Sequence, residues 1–448
     1  MTLPQPATAL LDLGPDFWDP VEPAQFPTTR LRFRNDRAAA EIGLATLSDH
    51  AWTAHFGRFE PILDTLPQPL ALRYHGHQFR AYNPDIGDGR GFTFAQFHDR
   101  DGRLMDLGTK GSGQTPYSRF GDGRLTLKGG VREILATEML EALRVPTSRT
   151  LSLIETGEAL ERGDEPSPTR SAVLVRLSHG HIRIGTFQRL AYFQDEANMR
   201  RLVAYVLRSL YGKDGADPIR LLELVMERTA TLAARYMAAG FVHGVLNTDN
   251  INVTGESFDY GPWRFAPSWN PAFTAAYFDH QGLYAFGRQP DAIGWDVAQL
   301  AASLRLLAES EPLIEVLDRF APRFQLALSE AILWRLGVLP RDEASDREVA
   351  RAVERTLRTT GAPLDHVFFD AFGGTLPDSY GEDWNDLRVA LTGYQPRRPR
   401  DHAYWSGEPC SMLIDEVEAI WAPIAEADDW APLYAKVAAI RAMGAALA

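Results

Sequence analysis

The run FVHGVLNTDNINVTGESFDYG, residues 241–261, constrains the fold and chemistry of this chain more than any other stretch. Asn250 follows His243 by seven residues, and the remainder predicts a β-hairpin: strand 251–253, tight loop 254–257 and return strand 258–261. Such a hairpin holds an amide, from Asn250, beside a carboxylate, from Asp259, and hard cations bound with phosphates use oxygen ligands of this kind. A solvated surface hairpin is the alternative. The ordered spacing favours a metal and nucleotide site.

The same spacing occurs in the protein-kinase signature H-R-D-x-x-x-x-N followed by D-F-G, where the Asn and the second Asp hold metal ions. His243, Asn250 and the D-Y-G at 259–261 are in register with it, but Val245 stands where the catalytic Asp would be. Asp249 supplies a carboxylate next to Asn250. The sequence therefore predicts that metal binding is kept and that the usual base is missing or has moved.

A lysine and a glutamate form a second candidate pair. Alternation in residues 91–98 predicts a half-buried strand, and 104–108 its hairpin partner, which leads to Lys110. Glu133 lies in the first turn of a predicted helix, 131–143, after a glycine-bearing loop, 111–130. In kinases such a pair directs the lysine to nucleotide phosphates. Two surface residues are the alternative for any single Lys/Glu pair.

Glycine-rich turns flank Lys110 on both sides. Gly87, Gly89 and Arg90 belong to GDGRG at 87–91, and a second GDGR occupies 121–124. Glycine lets backbone N–H groups approach phosphate oxygens, although a plain turn is the default for each motif alone. Arg176 and Arg183 could bind a terminal phosphate; from composition alone they are surface arginines.

The chain divides into a strand-rich and a helix-rich part, which predicts an α+β fold. Helices are expected from 196 onward, including 219–239 with Gly240 as the C-terminal cap. The expected divisions are an N-terminal arm and extension, a small nucleotide-binding lobe, a helical large lobe and a helical C-terminal extension: 1–69, 70–190, 191–310 and 311–448.

Composition narrows the function classes. A net charge of −13 argues against nucleic-acid binding. One cysteine, Cys410, excludes an internal disulfide and suits a reducing compartment. No apolar run approaches a membrane span and no secretory or transit signal is seen, so we expect a cytoplasmic monomer of bacterial type. The histidines of HGH, 75–77, are expected to be structural, and PRRPR, 396–400, to be a solvated turn.

Four ordered motifs resemble the selenoprotein O family of protein adenylyltransferases. They are YHGHQF with NPDIGDGRG (74–91), DLGTKGSGQTPYSRFGDGR (106–124), GGVRE (129–133) and FVHGVLNTDN with DYGP (241–262). The resemblance covers roughly residues 70–300 and implies a bilobal, protein-kinase-like fold, long regarded as a pseudokinase. It also implies that ATP binds in a flipped orientation, and that AMP passes to Ser, Thr or Tyr hydroxyls of protein substrates with release of pyrophosphate.

The resemblance also assigns residues. It implies that Lys110 contacts the phosphates and pairs with Glu133, and that Asp249 is the base. The resemblance further implies that Arg176 and Arg183 bind the distal phosphates. It implies that Asn250 and Asp259 ligate Mg²⁺ or Mn²⁺ and that Asp259 also contacts the nucleotide. The residues implied to line the nucleotide are Gly87, Gly89, Arg90, Asp122 and Gly123. Arg80 departs from the family, which usually has glycine after HQF, and a single Cys410 does not permit an intramolecular disulfide switch. An ordinary phosphotransferase and a non-catalytic ATP-binding scaffold are the alternatives.

Overall fold

The structure, a computed structural model, describes residues 3–163 and 165–448. Within these residues there are thirteen β-strands: β1 (Pro6–Ala7), β2 (Trp18–Pro20), β3 (Arg30–Arg34), β4 (Leu70–Leu72), β5 (Gly76–Gln78), β6 (Ala81–Asn83), β7 (Thr93–His98), β8 (Leu104–Lys110), β9 (Leu125–Thr126), β10 (Arg149–Leu160), β11 (Thr169–Ser178), β12 (Phe241–Val242) and β13 (Arg264–Phe265).

The same residues form fourteen α-helices. They are α1 (Asp36–Glu41), α2 (Asp49–Gly57), α3 (Leu127–Ala142), α4 (Ile184–Tyr192), α5 (Glu196–Tyr205), α6 (Pro218–Ala239), α7 (Gln289–Leu304), α8 (Ser310–Leu317), α9 (Phe320–Arg335), α10 (Glu343–Thr360), α11 (Leu364–Asp370), α12 (Asn385–Leu391), α13 (Ile414–Ala427) and α14 (Ala431–Leu447). No helix in the described ranges is both long and apolar enough to cross a membrane.

Nine strands form one antiparallel sheet, with the order β2-β4-β7-β8-β11-β10-β3 and with β1 on β7 and β9 on β11. The predicted hairpin ending in Lys110 is present as β7 and β8. The chain is thus a mixed α and β protein with an antiparallel sheet and many helices. Residues 3–30, within the predicted N-terminal arm and extension, supply two edge strands and the start of a third, and bury Leu10 and Leu13.

A hydrophobic core covers each face of this sheet. Ala172 and Leu174 of β11 belong to one core, whereas Val173, Val175 and Leu177 belong to the other. Side chains alternate between the faces of a strand, so the part of β11 between the two cores, residues 172–175, is apolar at every position. The prediction that residues 91–98 form a half-buried strand was wrong in its burial, because the sheet is covered on both faces. Five of the six residues of β7 are buried.

Helix α3 starts four residues earlier than predicted. The Thr126 side chain accepts a hydrogen bond from the N–H of Gly129 at 3.1 Å and caps the helix. Gly129 and Gly130 therefore lie in the first turn instead of in a loop. A Cβ at Gly130 would lie 2.3 Å from the Leu153 side chain, so the glycine allows α3 to approach β10 closely.

Helix α6 ends as predicted, because Gly240 adopts a left-handed φ of 69°. The hairpin predicted for 251–261 was wrong. Asn252, of the first predicted strand, pairs with Arg183, and Ser257, of the predicted loop, pairs with Thr147. Neither residue pairs across the predicted hairpin. The segment is a loop that is held on two sides.

The basic run PRRPR is not a solvated turn. Nη1 of Arg397 donates to the Ala448 carbonyl at 3.0 Å, and Nη1 of Arg398 donates to the Ala445 carbonyl at 3.1 Å. The last carbonyls of a helix have no partner within the helix and carry partial negative charge. The two arginines satisfy these carbonyls at the end of α14.

Candidate active site

A cavity of about 810 Å³ brings most of the predicted residues together. Its lining includes every candidate site residue except the ion-pair residue Glu133: Gly87, Gly89, Arg90, Lys110, Asp122, Gly123, Arg176, Arg183, Asp249, Asn250 and Asp259. The cavity lies where β8 and β11 meet the loop that follows β12. Residues from six separate segments of the chain therefore converge there, and their individual roles stay predictions.

Lys110 and Glu133 form a buried ion pair across the cavity wall. The lysine ends β8 and the glutamate lies in α3, so the pair joins sheet to helix. Nζ of Lys110 also donates to the carbonyl of Tyr260 at 3.1 Å. Burial, with the nearby Arg90 guanidinium, holds the pKa of Lys110 well below its ordinary value, although Asp259 opposes this shift.

Asp259 lies between two arginines. Arg183 Nη1 is 2.8 Å from Asp259 Oδ2, and Arg176 contacts Oδ1. Burial raises the pKa of this carboxyl, but the two guanidinium groups outweigh burial and hold it well below its ordinary value. Asp259 has a left-handed φ of 56°, which aspartate tolerates better than most residues.

Arg183, besides contacting Asp259, also contacts the segments that carry Asp249 and Asp88. Its Nη1 donates to the Asp249 carbonyl at 2.8 Å, and its Nη2 lies 3.3 Å from Asp88 Oδ1. The guanidinium carbon lies 4.3 Å from the centroid of the Tyr74 ring. Asp88 was not predicted as a site residue, although it sits inside the quoted GDGRG motif. Its position between two candidate glycines was the available signal.

A second polar layer lies behind Arg176. Its Nε donates to His181 Nε2 at 3.1 Å, and His181 Nδ1 lies 3.2 Å from Asp106 Oδ2. The imidazole therefore bridges the Arg176 guanidinium and the Asp106 carboxylate. A Cβ at Gly108 would lie 2.3 Å from His181 Nε2, so this glycine leaves room for the ring. Sequence reasoning missed these residues.

Asp249 is a buried carboxylate with an unsatisfied oxygen. Its Oδ2 is 3.4 Å from Gln78 Nε2, whereas its Oδ1 has no hydrogen-bond partner. Burial raises the pKa of Asp249 to about 6, and Arg183 opposes the shift. A Cβ at Gly76 would lie 2.8 Å from Oδ1, so β5 passes directly against the carboxylate.

The β5–β6 hairpin carries the quoted HGHQF motif onto the turn that holds Asp249. The His77 N–H donates to Thr248 Oγ1 at 2.7 Å, and the His77 ring contacts Gln188 at 2.7 Å. His75 Nδ1 lies 2.8 Å from the Tyr82 hydroxyl. Both histidines are therefore hydrogen-bonded to protein groups around the site.

The side-chain oxygens of Asn250 and Asp259 are of the type that a hard divalent cation binds. Asn250 donates its Nδ2 to the Val245 carbonyl at 2.8 Å, which leaves its amide oxygen as an acceptor. The Asp259 carboxylate lines the same cavity. In the described ranges no group of three or more His, Cys, Asp and Glu side chains has metal-binding geometry. A cation here would depend on the amide and on nucleotide oxygens.

The glycine-rich segments form the opposite wall. A Cβ at Gly87 would lie 2.5 Å from the Tyr117 ring, and one at Gly89 would lie 2.9 Å from the Tyr117 carbonyl. Gly123 has a left-handed φ of 70°. Asp122 is exposed and lies 2.9 Å from Arg162 Nη1. At these glycines the backbone packs too closely against its neighbours for a side chain to fit.

A glycine-lined cavity with a buried Lys–Glu pair, further cations and carboxylates is typical of sites that bind a nucleotide and its phosphates. The family model described as protein adenylyltransferase SelO matches residues 4–393. The chain therefore belongs to this family of nucleotidyltransferase enzymes, and the resemblance read from the sequence motifs is confirmed.

Similar proteins from cyanobacteria cover nearly the whole chain. A protein nucleotidyltransferase YdiU from Synechococcus elongatus is 44% identical over 97% of this chain and 94% of its own length. A protein of the same name from Gloeobacter violaceus is 42% identical over 97% and 94% of the two chains. One from Synechocystis is 41% identical over 95% of each.

Proposed function

We propose that this chain transfers AMP from ATP to Ser, Thr or Tyr hydroxyls of proteins and releases pyrophosphate. The observation that carries the proposal is the identity of two residues that precede Asn250, Val245 and Asp249. Val245 replaces the base of ordinary kinases, and the buried Asp249 carboxylate faces the cavity with Oδ1 unpartnered. Membership of an adenylyltransferase family supports the same reaction.

The proposed architecture is a bilobal, kinase-like fold with a helical C-terminal extension. Residues 70–190 would form the small lobe, with 1–69 packed on it, and 191–310 and 311–448 would form the large lobe and its extension. The concentration of the long strands before residue 180 and of the long helices after it supports this division.

Four of the cationic side chains that line the cavity are proposed to contact the phosphates. Lys110, Arg176 and Arg183 are buried in the cavity wall, and Arg90 stands at its opening. In the proposed orientation Arg176 and Arg183 hold the distal phosphates, and the glycine-rich segments lie along the nucleotide. Guanidinium groups bind phosphate oxygens through paired N–H donors, which stabilises a departing pyrophosphate.

Asn250 and Asp259 would hold a Mg²⁺ or Mn²⁺ ion. When bound, the ion would neutralise charge on the phosphate oxygens. Asp259 already faces Arg176 and Arg183, so the same carboxylate orients both arginines in the nucleotide-free protein.

The reaction needs one proton acceptor. The oxygen of the target hydroxyl attacks the α-phosphorus, and the bond from that phosphorus to the bridging oxygen breaks. The electron pair leaves with pyrophosphate, and the hydroxyl proton passes to Asp249. Gln78 and the Gly76 backbone fix the position of this carboxylate, so it is held before the substrates bind.

Two labels distinguish this reaction from phosphoryl transfer. The purified protein is incubated with Mg²⁺ or Mn²⁺ and with ATP labelled at either the α- or the γ-phosphate, and Asp259→Ala serves as control. Incorporation into protein from the α-label alone supports AMP transfer. Incorporation from the γ-label alone would establish an ordinary kinase reaction. Incorporation from neither, with ATP still raising the melting temperature, would establish a scaffold.

A further inference from the structure

Three exposed aromatic side chains form one cluster beside the cavity. Phe79, Tyr277 and Phe278 expose 38%, 80% and 42% of their surfaces. The ring centroids of Phe79 and Phe278 are 5.8 Å apart, and those of Tyr277 and Phe278 are 5.1 Å apart. We call these three residues the aromatic cluster. Exposed contiguous aromatic groups mark interaction sites more often than scattered ones do.

The aromatic cluster is tied directly to the turn that carries Asp249. Gln78, which contacts Asp249, immediately precedes Phe79. The Phe79 N–H donates to Asn247 Oδ1 at 3.1 Å, and the Tyr284 hydroxyl donates to the same oxygen at 2.8 Å. The Phe79 and Tyr284 rings lie 5.0 Å apart. The distance from the cluster to the carboxylate is therefore fixed by short contacts.

Both segments that present the aromatic cluster are held by local hydrogen bonds. Asp279 is buried and accepts from the N–H groups of Leu283 and Tyr284, each at 2.8 Å. Phe79 and Arg80 have left-handed φ values of 50° and 64°, which non-glycine residues rarely adopt. Strain of this kind persists only where the surroundings enforce it, and it concentrates at functional sites. The rings are thus presented in a fixed arrangement.

We propose that the aromatic cluster binds the segment of the target protein that flanks the modified hydroxyl, and that it selects an apolar side chain there. This inference rests on the proposed function, because the target hydroxyl must come within hydrogen-bond reach of Asp249. Phe79 directly follows Gln78, whose side chain contacts Asp249. An extended chain advances about 3.3 Å per residue, so we expect the selected side chain within about three residues of the hydroxyl.

The chemistry favours a peptide segment over other occupants. An aromatic pair with edge-to-face geometry offers apolar faces for a Leu, Met or Phe side chain at low entropic cost, since the rings are already ordered. The neighbouring Arg80 is exposed, and its guanidinium lies 5.2 Å from the Trp295 ring. It would favour an acidic residue beside the apolar one.

The test uses peptides of ten residues with one central Ser, Thr or Tyr and each flanking position varied in turn. AMP transfer is followed with α-labelled ATP and Mg²⁺ or Mn²⁺. The wild-type protein should prefer Leu, Met or Phe at one position within three of the hydroxyl. Phe79→Ala and the double variant Tyr277→Ala/Phe278→Ala should raise KM for that peptide about tenfold and flatten the preference.

Measurements that do not depend on the peptide distinguish failure of the docking site from failure of the proposed function. KM for ATP and the melting temperature should be unchanged in both variants, and Ile314→Ala, which alters an exposed apolar residue on α8, should behave as wild type throughout. No α-label in any protein or peptide would refute the proposed function itself.

Other outcomes refute only the docking site. They are α-labelling of proteins without labelling of any peptide, a wild-type enzyme without an apolar preference, and an unchanged preference in the variants. A change in oligomeric state with unchanged peptide KM would show that the cluster contacts a second copy of the chain instead.

Discussion

Replacing Asp249 with Asn should slow AMP transfer strongly and at the same time stabilise the free protein. The substitution keeps the size of the side chain and removes the charge. Loss of a general base typically lowers a rate by about 10² to 10⁴. Lys110, Arg176 and Arg183 stay in place, so ATP should still bind.

The stability gain follows from the raised pKa of Asp249. Burial moves this pKa from 3.8 to about 6, so the unfolded chain loses its proton at lower pH than the folded chain does. The carboxylate therefore destabilises the fold increasingly as pH rises from about 4 to about 6. At 1.36 kcal/mol for each pH unit, the complete penalty is roughly 3 kcal/mol above pH 6 and about half of that at pH 5. These values are upper limits, because the Asn amide also loses water on burial.

The measurement is urea unfolding of both proteins at pH 5 and pH 8, without nucleotide and with EDTA to remove metal. Asp249→Asn should be more stable than wild type, and the difference should be larger at pH 8. The exposed Asp214→Asn is the matched control and should show no such trend. Transfer from α-labelled ATP is measured in parallel.

Two results would refute the reasoning. If the stability difference were equal at both pH values, the Asp249 carboxyl would not titrate differently in the folded and unfolded chain. If Asp249→Asn transferred AMP at the wild-type rate, another group would accept the proton.

Two further substitutions test the groups around Asp259. Arg176→Lys keeps a charge but loses the paired donors, so ATP affinity should fall about tenfold while AMP affinity is unchanged by calorimetry; equal losses would contradict a role at the distal phosphates. Gly108→Ala would put a Cβ 2.3 Å from His181 Nε2, so it should destabilise the protein by about 1–3 kcal/mol and weaken ATP binding. Gly381→Ala is the control, because a Cβ there meets open space, and it should leave both stability and ATP affinity unchanged. If Gly108→Ala were as stable as the wild type, the His181 ring would have to move freely to make room.

The elements that sequence analysis predicted well are those set by local patterns. The hairpin leading to Lys110 depends on alternating side chains and a turn, and the end of α6 depends on one glycine with positive φ. Both signals lie within a few residues of the feature that they specify. The convergence of eleven candidate residues on one cavity came from ordered motifs, which carry information about distant parts of the chain.

The errors arose where a neighbouring segment decides the local structure. Residues 251–261 have hairpin-like composition, but the backbone of Arg183 pairs with Asn252 and that of Thr147 pairs with Ser257. Likewise, the glycines before residue 131 suggest a loop, whereas the Thr126 cap and the close approach to β10 favour a helix there. Intrinsic preferences are weak, and tertiary contacts override them.

The polar partners of the site were not predictable from spacing. His181 and Asp106 are 75 residues apart, and Gln78 and Asp249 are 171 residues apart. Each is an ordinary polar residue in its own segment, and a contact appears only when the sheet and the helices assemble. The signal for Gln78 was its place in the HGHQF motif, which attracted attention only for its histidines.

The C-terminal helix α14 contacts the site only indirectly, by packing on α3, which carries Glu133. Glu133 points from α3 to Lys110, whereas Glu138, five residues on, is buried and bonded to Arg441 of α14 at 2.8 Å. A Cβ at Gly444 would lie 3.2 Å from Ala142, so α14 packs closely on α3 as well. Helix α14 lies beyond residues 70–300, which the sequence motifs cover, and also beyond the 4–393 range of the family match. The ion pair between Lys110 and Glu133 nevertheless depends on where α3 sits, and α14 is one of the elements that hold α3 there.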